Sequence, residues 1–330
     1  MQKRILGVLL LTYFWLVPSV FGQVAAPLII PGGSSVNPAV SFWKKSNTFS
    51  VVMGSYDLEV EAESQKINGN SKESSIQFAG KLSVIGLSLG VKNVQSDYDD
   101  YSVVTNFSND SNLQFFNISS GIEFIAAGIG TSSEKSETKF DANSISSYTD
   151  TETSGSSLGV SLKSSEIYLG YYLGKDRSKR KQKAFFGERN FPVLETDSSG
   201  VGVGFLSEKS EIHTEVYFLK DFYASVEDNG SNYVNDEAST VGIVFEVVAN
   251  PLSFGIIYQK ESYIEEFSAN LYEDYDADSI QAIIGFYILD NLNLTFTYTT
   301  YGYEQKYKNS GGVYNGLNYT YYNYGVHFIF

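Results

Sequence analysis

Hydrophobicity in this chain recurs at every second residue, and no long apolar run accompanies it. Leu292, Leu294, Phe296 and Tyr298 alternate with Asn293, Thr295, Thr297 and Thr299. Ile167, Leu169, Tyr171 and Leu173 alternate with Tyr168, Gly170, Tyr172 and Gly174, and Leu252, Phe254, Ile256 and Tyr258 with Ser253, Gly255, Ile257 and Gln259. A period of two places one set of side chains against an apolar medium and the other set away from it. Past residue 22, no segment approaches the ~18 to 20 consecutive apolar residues that a membrane helix needs.

A soluble sandwich alternates too, so the content of the second face decides between the two. Here that face is mostly Gly, Ser, Thr, Ala and Asn, with a few charges such as Lys81, Lys92, Lys163, Glu215 and Glu246. A sandwich bathes its polar face in bulk water and fills it with Lys, Glu and Arg. Small residues with charges displaced elsewhere suit the lumen of a barrel. The chain is acidic, at net charge -15, yet holds 25 Tyr and 23 Phe. A barrel reconciles these, because each spanning strand needs an apolar residue only at alternate positions.

The pattern predicts an all-β fold, a closed antiparallel transmembrane β-barrel of about fourteen strands over residues 47–330. The first strand is expected near 48–60. Hairpin pairs follow near 73–82 and 85–96, 112–121 and 124–136, 156–163 and 166–176, 198–206 and 211–221, 239–249 and 252–262, and 279–288 and 292–304. The last strand is expected near 316–330. Turns within pairs are short, as at 207–210, 250–251 and 290–291, while the polar stretches between pairs read as longer loops. That asymmetry places short turns in the periplasm and longer loops outside the cell, with both termini periplasmic.

The first residues read as a secretory signal. Lys3 and Arg4 form a charged start, an apolar run follows from Ile5 to Phe21, and Pro18, Val20 and Gly22 suggest cleavage after residue 22. With no Cys in the chain, thiol chemistry and disulfides are excluded. The acidic balance argues against a nucleic-acid partner.

The chain's end carries a resemblance. Tyr322, Tyr324, Val326, Phe328 and Phe330 alternate with the small or polar residues Asn323, Gly325 and His327. This looks like the C-terminal signal by which outer-membrane barrels engage the barrel-assembly machinery. Physically, such a strand can be templated edge to edge before it closes the barrel. Residues 23–46 do not alternate and contain Asn37, Pro38 and Ala39, followed by Phe42 and Trp43. This segment resembles the N-terminal hatch of FadL-type outer-membrane transporters of fatty acids and aromatic hydrocarbons. The resemblance implies a plug or hatch motif at Asn37, Pro38 and Ala39, a fourteen-stranded wall and an apolar ligand. The hatch here is about half the family's length, and the chain about a quarter shorter.

One stretch departs from the acidic pattern. Lys175, Arg177, Lys179, Arg180, Lys181 and Lys183 read as a cationic loop suited to lipopolysaccharide phosphates. Asp274, Asp276 and Asp278 open like a calcium loop but lack the Gly and Glu that would complete one. His213 and His327 fall on the inward parity and no motif supplies a nucleophile, so neither an enzyme, a cofactor nor a metal site is expected. The expected function is passive uptake of a small, hydrophobic molecule across a bacterial outer membrane, with 23–46 as a plug-like or periplasmic segment. A general porin for small polar solutes, or a surface adhesin or structural barrel without transport, is the alternative.

Overall fold

The computed structural model describes residues 37–43, 47–62, 65–100, 105–142, 145–184, 187–209, 211–227, 233–249, 251–268, 271–289, 291–307 and 312–329. The expected signal segment, most of 23–46, and Phe330 lie outside them. A short 3-10 helix, η1 (Pro38–Trp43), precedes the strands β1 (Thr48–Ala62), β2 (Gln65–Leu82), β3 (Ile85–Asp100), β4 (Thr105–Ile122) and β5 (Ile125–Ala142). There follow β6 (Ile145–Lys163), β7 (Ile167–Ala184), β8 (Gly187–Asn190), β9 (Leu194–Lys209) and β10 (Ile212–Glu227). The series closes with β11 (Tyr233–Ala249), β12 (Leu252–Ser268), β13 (Leu271–Leu289), β14 (Leu292–Tyr307) and β15 (Gly312–Ile329).

All the pairings are antiparallel between neighbours along the chain, and β1 pairs with β15 from Thr48↔Ile329 to Ala62↔Asn315. The sheet therefore closes on itself through the pairing of its first and last strands. β8 and β9 are one wall strand in two pieces. β7 pairs with β9 from Ile167 to Ser178 and with β8 from Lys181 to Ala184. Between them Phe191 N donates to Arg180 O at 2.9 Å, and Pro192, with no N–H to donate, interrupts the ladder. Counted this way the barrel has fourteen staves, as the alternation predicts.

The faces are the reverse of a soluble protein's. Ile256 is 54 % exposed, Ile129 58 % and Leu158 52 %, all pointing outward, whereas Ser50, Ser71, Ser161 and Asn117 are buried on the inner side. An apolar exterior around a polar interior has a low free energy only when lipid surrounds it. The five charges read onto the inner face, Lys81, Lys92, Lys163, Glu215 and Glu246, all fall on that parity.

The strands are longer than expected, and this corrects the reading of the polar stretches as long loops. Full wall strands run from 15 residues in β1 to 19 in β6 and β13, where ~9–11 suffice to span lipid. At the end away from the termini, Ala62 is followed by Gln65, Ala142 by Ile145, and Glu227 by Tyr233 as the next strand residue. The polar stretches are the upper halves of strands. Their backbone pairs with neighbouring strands, so they need no apolar content to remain extended. At the other end the turns are short, and Ser83 adopts φ 59° in the β2–β3 turn, the left-handed conformation that two-residue hairpins demand.

Candidate functional site

Residues 37–43 lie on the inner face of the wall near the end where β1 begins and β15 ends. η1 packs against β2, β3, β4, β5 and β6. The inner face of β5–β7 is notched there by glycines: Gly128 and Gly159 are cross-strand partners, and Gly170 lies on β7 opposite Ser161. A Cβ at Gly128 would stand 2.7 Å from the Pro38 carbonyl carbon and 2.8 Å from Ala39 N. At Gly159 it would meet Pro38 Cδ at 2.9 Å and collide with the Asn37 carboxamide, and at Gly170 it would stand 3.0 Å from Asn37 Nδ2. Glycine is required at these positions by close approach, not by backbone angle.

Asn37 is wholly buried in this recess. Its Nδ2 donates to Val160 O and to Tyr171 O, both at 3.3 Å, and these residues are partners across β6 and β7. Its Oδ1 accepts from Ala39 N at 3.0 Å, an Asx turn that starts η1. Asn is suited to this position because one carboxamide supplies donors to the wall and an acceptor to its own chain. Pro38 and Ala39 are buried beside it and Phe42 is buried further along. Phe42 and Trp43 meet edge to face at 5.0 Å between centroids, with Lys81 Nζ 3.8 Å from the Phe42 centroid and Lys163 Nζ 6.0 Å from that of Trp43. Trp43 Nε1 donates to Ser161 Oγ at 2.8 Å. The two inward lysines thus cover the aromatic pair that follows the Asn-Pro-Ala motif.

Glycine recurs on the adjoining wall, from β7 to β11, with a different occupant. Tyr168 pairs across the strands with Gly204, Tyr172 with Gly200 and Tyr217 with Gly242, and each ring occupies the space a Cβ on that glycine would need. The rings lie flat along the wall, an arrangement that covers exposed glycine backbone. Leu206, Leu219, Val244 and Ile257 join these tyrosines in one buried cluster. Tyr168 donates to Glu215, and Gln259 Nε2 donates to Tyr217 Oη at 2.6 Å. Sequence reading places these residues inward but gives no sign of the ring-over-glycine pairing, which depends on the register between strands.

The cationic stretch is not a loop. Lys175 to Lys183 continue β7. Lys175, Arg177, Lys179, Lys181 and Lys183 share the outward parity of Ile167, Leu169, Tyr171 and Leu173, so the exterior of one strand changes from apolar to cationic. Phe191, just past this strand, is tied back to it by the hydrogen bond from its N–H to Arg180 O. Arg180, on the other parity, and Arg189 stack on the Phe191 ring at 4.2 and 4.9 Å. Acids on the flanking strands answer the cations: Lys175 Nζ lies 3.0 Å from Glu195 Oε2, Arg177 Nε 3.7 Å from Glu195 Oε1, and Lys183 Nζ 3.3 Å from Asp150 Oδ2. Lys181 pairs with Glu188. Beyond the apolar belt, the hydrogen bond and charge between Lys175 and Glu195 push the ammonium's pKa up and pull the carboxyl's down.

At the closing seam, His327 links three strands. Its Nδ1 lies 2.8 Å from Ser50 Oγ on β1 and its Nε2 2.8 Å from Thr295 Oγ1 on β14. Along the terminal strand, Tyr324 and Phe328 point outward and exposed, and Phe328 meets Phe49 of β1 at 6.3 Å between centroids. Val326 is half-buried, and Tyr322 lies in β15 opposite Ser55. Among the described residues no cluster of His, Asp and Glu has the spacing to hold a metal ion.

No protein-family model matches the chain, and no curated protein matches it in sequence. Solved structures do match it in shape. A Pseudomonas aeruginosa FadL homologue superposes with a TM-score of 0.61 over 93 % of this chain and 96 % of that one, at 9 % identity. The monoaromatic hydrocarbon channel CymD gives 0.57 over 94 % and 95 %, at 9 % identity. The Ralstonia pickettii toluene transporter TbuX gives 0.54 over 94 % and 97 %, at 10 % identity. Coverage of both chains from end to end means the whole barrel is alike and not one shared hairpin. The chain has the fold of the FadL-type outer-membrane barrels.

Proposed function

We propose that this protein is an outer-membrane channel for passive entry of small hydrophobic molecules, in which residues 37–43 belong to a plug at the periplasmic end. The observation that carries this reading is Asn37, Pro38 and Ala39 seated in the glycine recess of β5–β7. An open porin has no need of a built socket for its N-terminal segment. A docked segment obstructs ions while leaving the tyrosine-lined wall beside it, from β7 to β11, for an apolar solute. The likeness to hydrocarbon channels supports the same substrate class, and the molecule works as a channel, not an enzyme.

The test is conductance and flux together. Purified protein in planar bilayers is expected to show little steady current, and deletion of residues 27–40 to give large, stable channels. Liposomes containing the protein are expected to take up toluene faster than empty ones. Steady wild-type conductance that the deletion leaves unchanged would promote the porin reading.

The outward cations of β7 are suited to the phosphates of outer-leaflet lipopolysaccharide. Exposed ion pairs such as Lys175–Glu195 are weak enough to rearrange around a phosphate. Replacing Arg177, Lys179 and Lys181 by Gln is expected to reduce lipopolysaccharide co-purifying with the barrel, and unchanged lipid would remove this contact.

A further inference from the structure

The inner wall formed by β10–β12 is more acidic than an apolar passage requires. Asp221 stands opposite Ala238 and Tyr223 opposite Asp236, while Glu261 stands opposite Thr240 and Tyr263 opposite Ala238. Carboxylates from three adjacent strands therefore frame the small residues Ala238 and Thr240 of β11, with a tyrosine on each flank. Asp221 is 1 % exposed, and neither of its carboxylate oxygens accepts a hydrogen bond of ordinary geometry; at Asp236 the buried Oδ1 accepts none, although Tyr263 bonds this carboxyl. Tyr172 lies against Asp221 above Gly200 without meeting that geometry.

Among the described residues, no cation on these strands forms an ion pair with the three acids, and only the charge of Lys220 reaches Asp221. The basic residues of β9–β13 are Lys209, His213, Lys220 and Lys260. Lys220 and Lys260 point outward, Lys220 to Glu237 at 2.7 Å. Lys209 and His213 belong to the terminal end of the wall, where His213 lies 3.6 Å from Glu246. Arg180 of β7 is engaged on Phe191. A buried carboxylate without a cation or hydrogen bonds is costly and is relieved by protonation or by a positive guest.

We propose that this part of the lumen is a station for the ammonium group of an amphiphilic small molecule, so that the channel favours apolar amines over apolar carboxylic acids. This rests on the reading of the barrel as a passage for hydrophobic molecules and narrows its substrate class. The acids are too dispersed to coordinate a metal ion among the described residues. An organic ammonium is larger, reaches several carboxylates at once and is attracted to tyrosine faces. A fatty-acid carboxylate meets the opposite field and is repelled.

The test uses three molecules of one shape, phenethylamine, phenylacetate and 2-phenylethanol, with the full-length barrel in nanodiscs and in liposomes. Calorimetry is expected to show phenethylamine binding at least roughly tenfold more tightly than phenylacetate, the scale of one charge-assisted contact. Asp221→Asn and Glu261→Gln, each checked for the heat-dependent gel shift of a folded barrel, are expected to remove most of that preference. Phenylacetate binding as well as phenethylamine in the wild-type protein would overturn the proposal, whatever the variants do. An amine preference that survives both substitutions would also overturn it. Uptake of 2-phenylethanol reports on the passage alone. If it enters but no charge preference appears, the passage stands and the station falls; if nothing enters while the amine still binds, the reverse holds.

Discussion

Gly128 and Gly159 face each other across β5 and β6, and the recess they leave is filled by Asn37 and Pro38 of the N-terminal segment. Two wall strands thus omit side chains where that segment requires room. Gly159→Val should fill the recess and displace the segment while the barrel still closes, because a β-branched residue favours a strand. The expected result is a rise in bilayer conductance with an unchanged heat-dependent gel shift. Unchanged low conductance would mean that the recess does not hold the segment.

Asn37→Ala probes the same contact from the plug side. It removes the donor to Val160 O and Tyr171 O and the acceptor for Ala39 N. The loss of buried hydrogen bonds costs about 1–3 kcal/mol, enough to raise the population of undocked segment several-fold or more. Protease cleavage within 23–46 in reconstituted protein should accelerate accordingly, while Asn37→Asp, which keeps the acceptor alone, should fall near the alanine variant.

The faces of the wall supply a sharper test of the membrane reading. Ile256 points outward near the middle of the belt, and arginine there should cost ~2–4 kcal/mol of barrel stability in lipid. Arginine at Thr299, on the inner parity of β14, should cost much less. Urea unfolding from lipid vesicles reads both values. Equal penalties on the two faces would contradict a lipid-facing exterior.

The staves are legible in the sequence because each one repeats a local rule, outward apolar and inward small, over its membrane-spanning part. Their upper halves are not. In stretches such as Thr131 to Lys139 or Ser146 to Ser156 the outward residues are Ser, Thr, Lys, Asp and Glu with a single aromatic, Tyr148, so alternation fades although the ladder continues. The pairing that holds these residues is contributed by the neighbouring strand, and nothing within the segment itself records it. The cationic run in β7 reads as a loop for the same reason. Asn37, Pro38 and Ala39 stand out by resemblance, whereas their socket does not, since Gly128, Gly159 and Gly170 become neighbours only through the register of three strands.

The terminal strand offers a prediction about assembly. Phe328 packs near Phe49 and Tyr324 near Phe296 at 5.3 Å between centroids, so the outward aromatics of β15 touch both neighbours at the closure. Changing Phe328 and Phe330 to Ala should deprive the strand of its templating pattern and leave the chain in the periplasm for degradation. Normal amounts of heat-modifiable barrel in isolated outer membranes would refute a role for these residues in insertion.

The seam itself should depend on His327. A neutral imidazole carries one donor and one acceptor, and here its two nitrogens each meet a hydroxyl, Ser50 on β1 and Thr295 on β14, at 2.8 Å. The side chain therefore joins the first strand to the last two where the barrel closes. His327→Leu keeps the bulk but strands the buried Ser50 hydroxyl, and about 1–3 kcal/mol should be lost. Ser50→Ala should cost less, since one imidazole nitrogen keeps its partner Thr295. If the residues act as one link, the double variant should lose less than the two single losses combined, because the second substitution removes a group already without a partner. Urea titrations of all three variants in the same vesicles decide the matter: additive losses would mean that His327 and Ser50 stabilise the closure independently of each other.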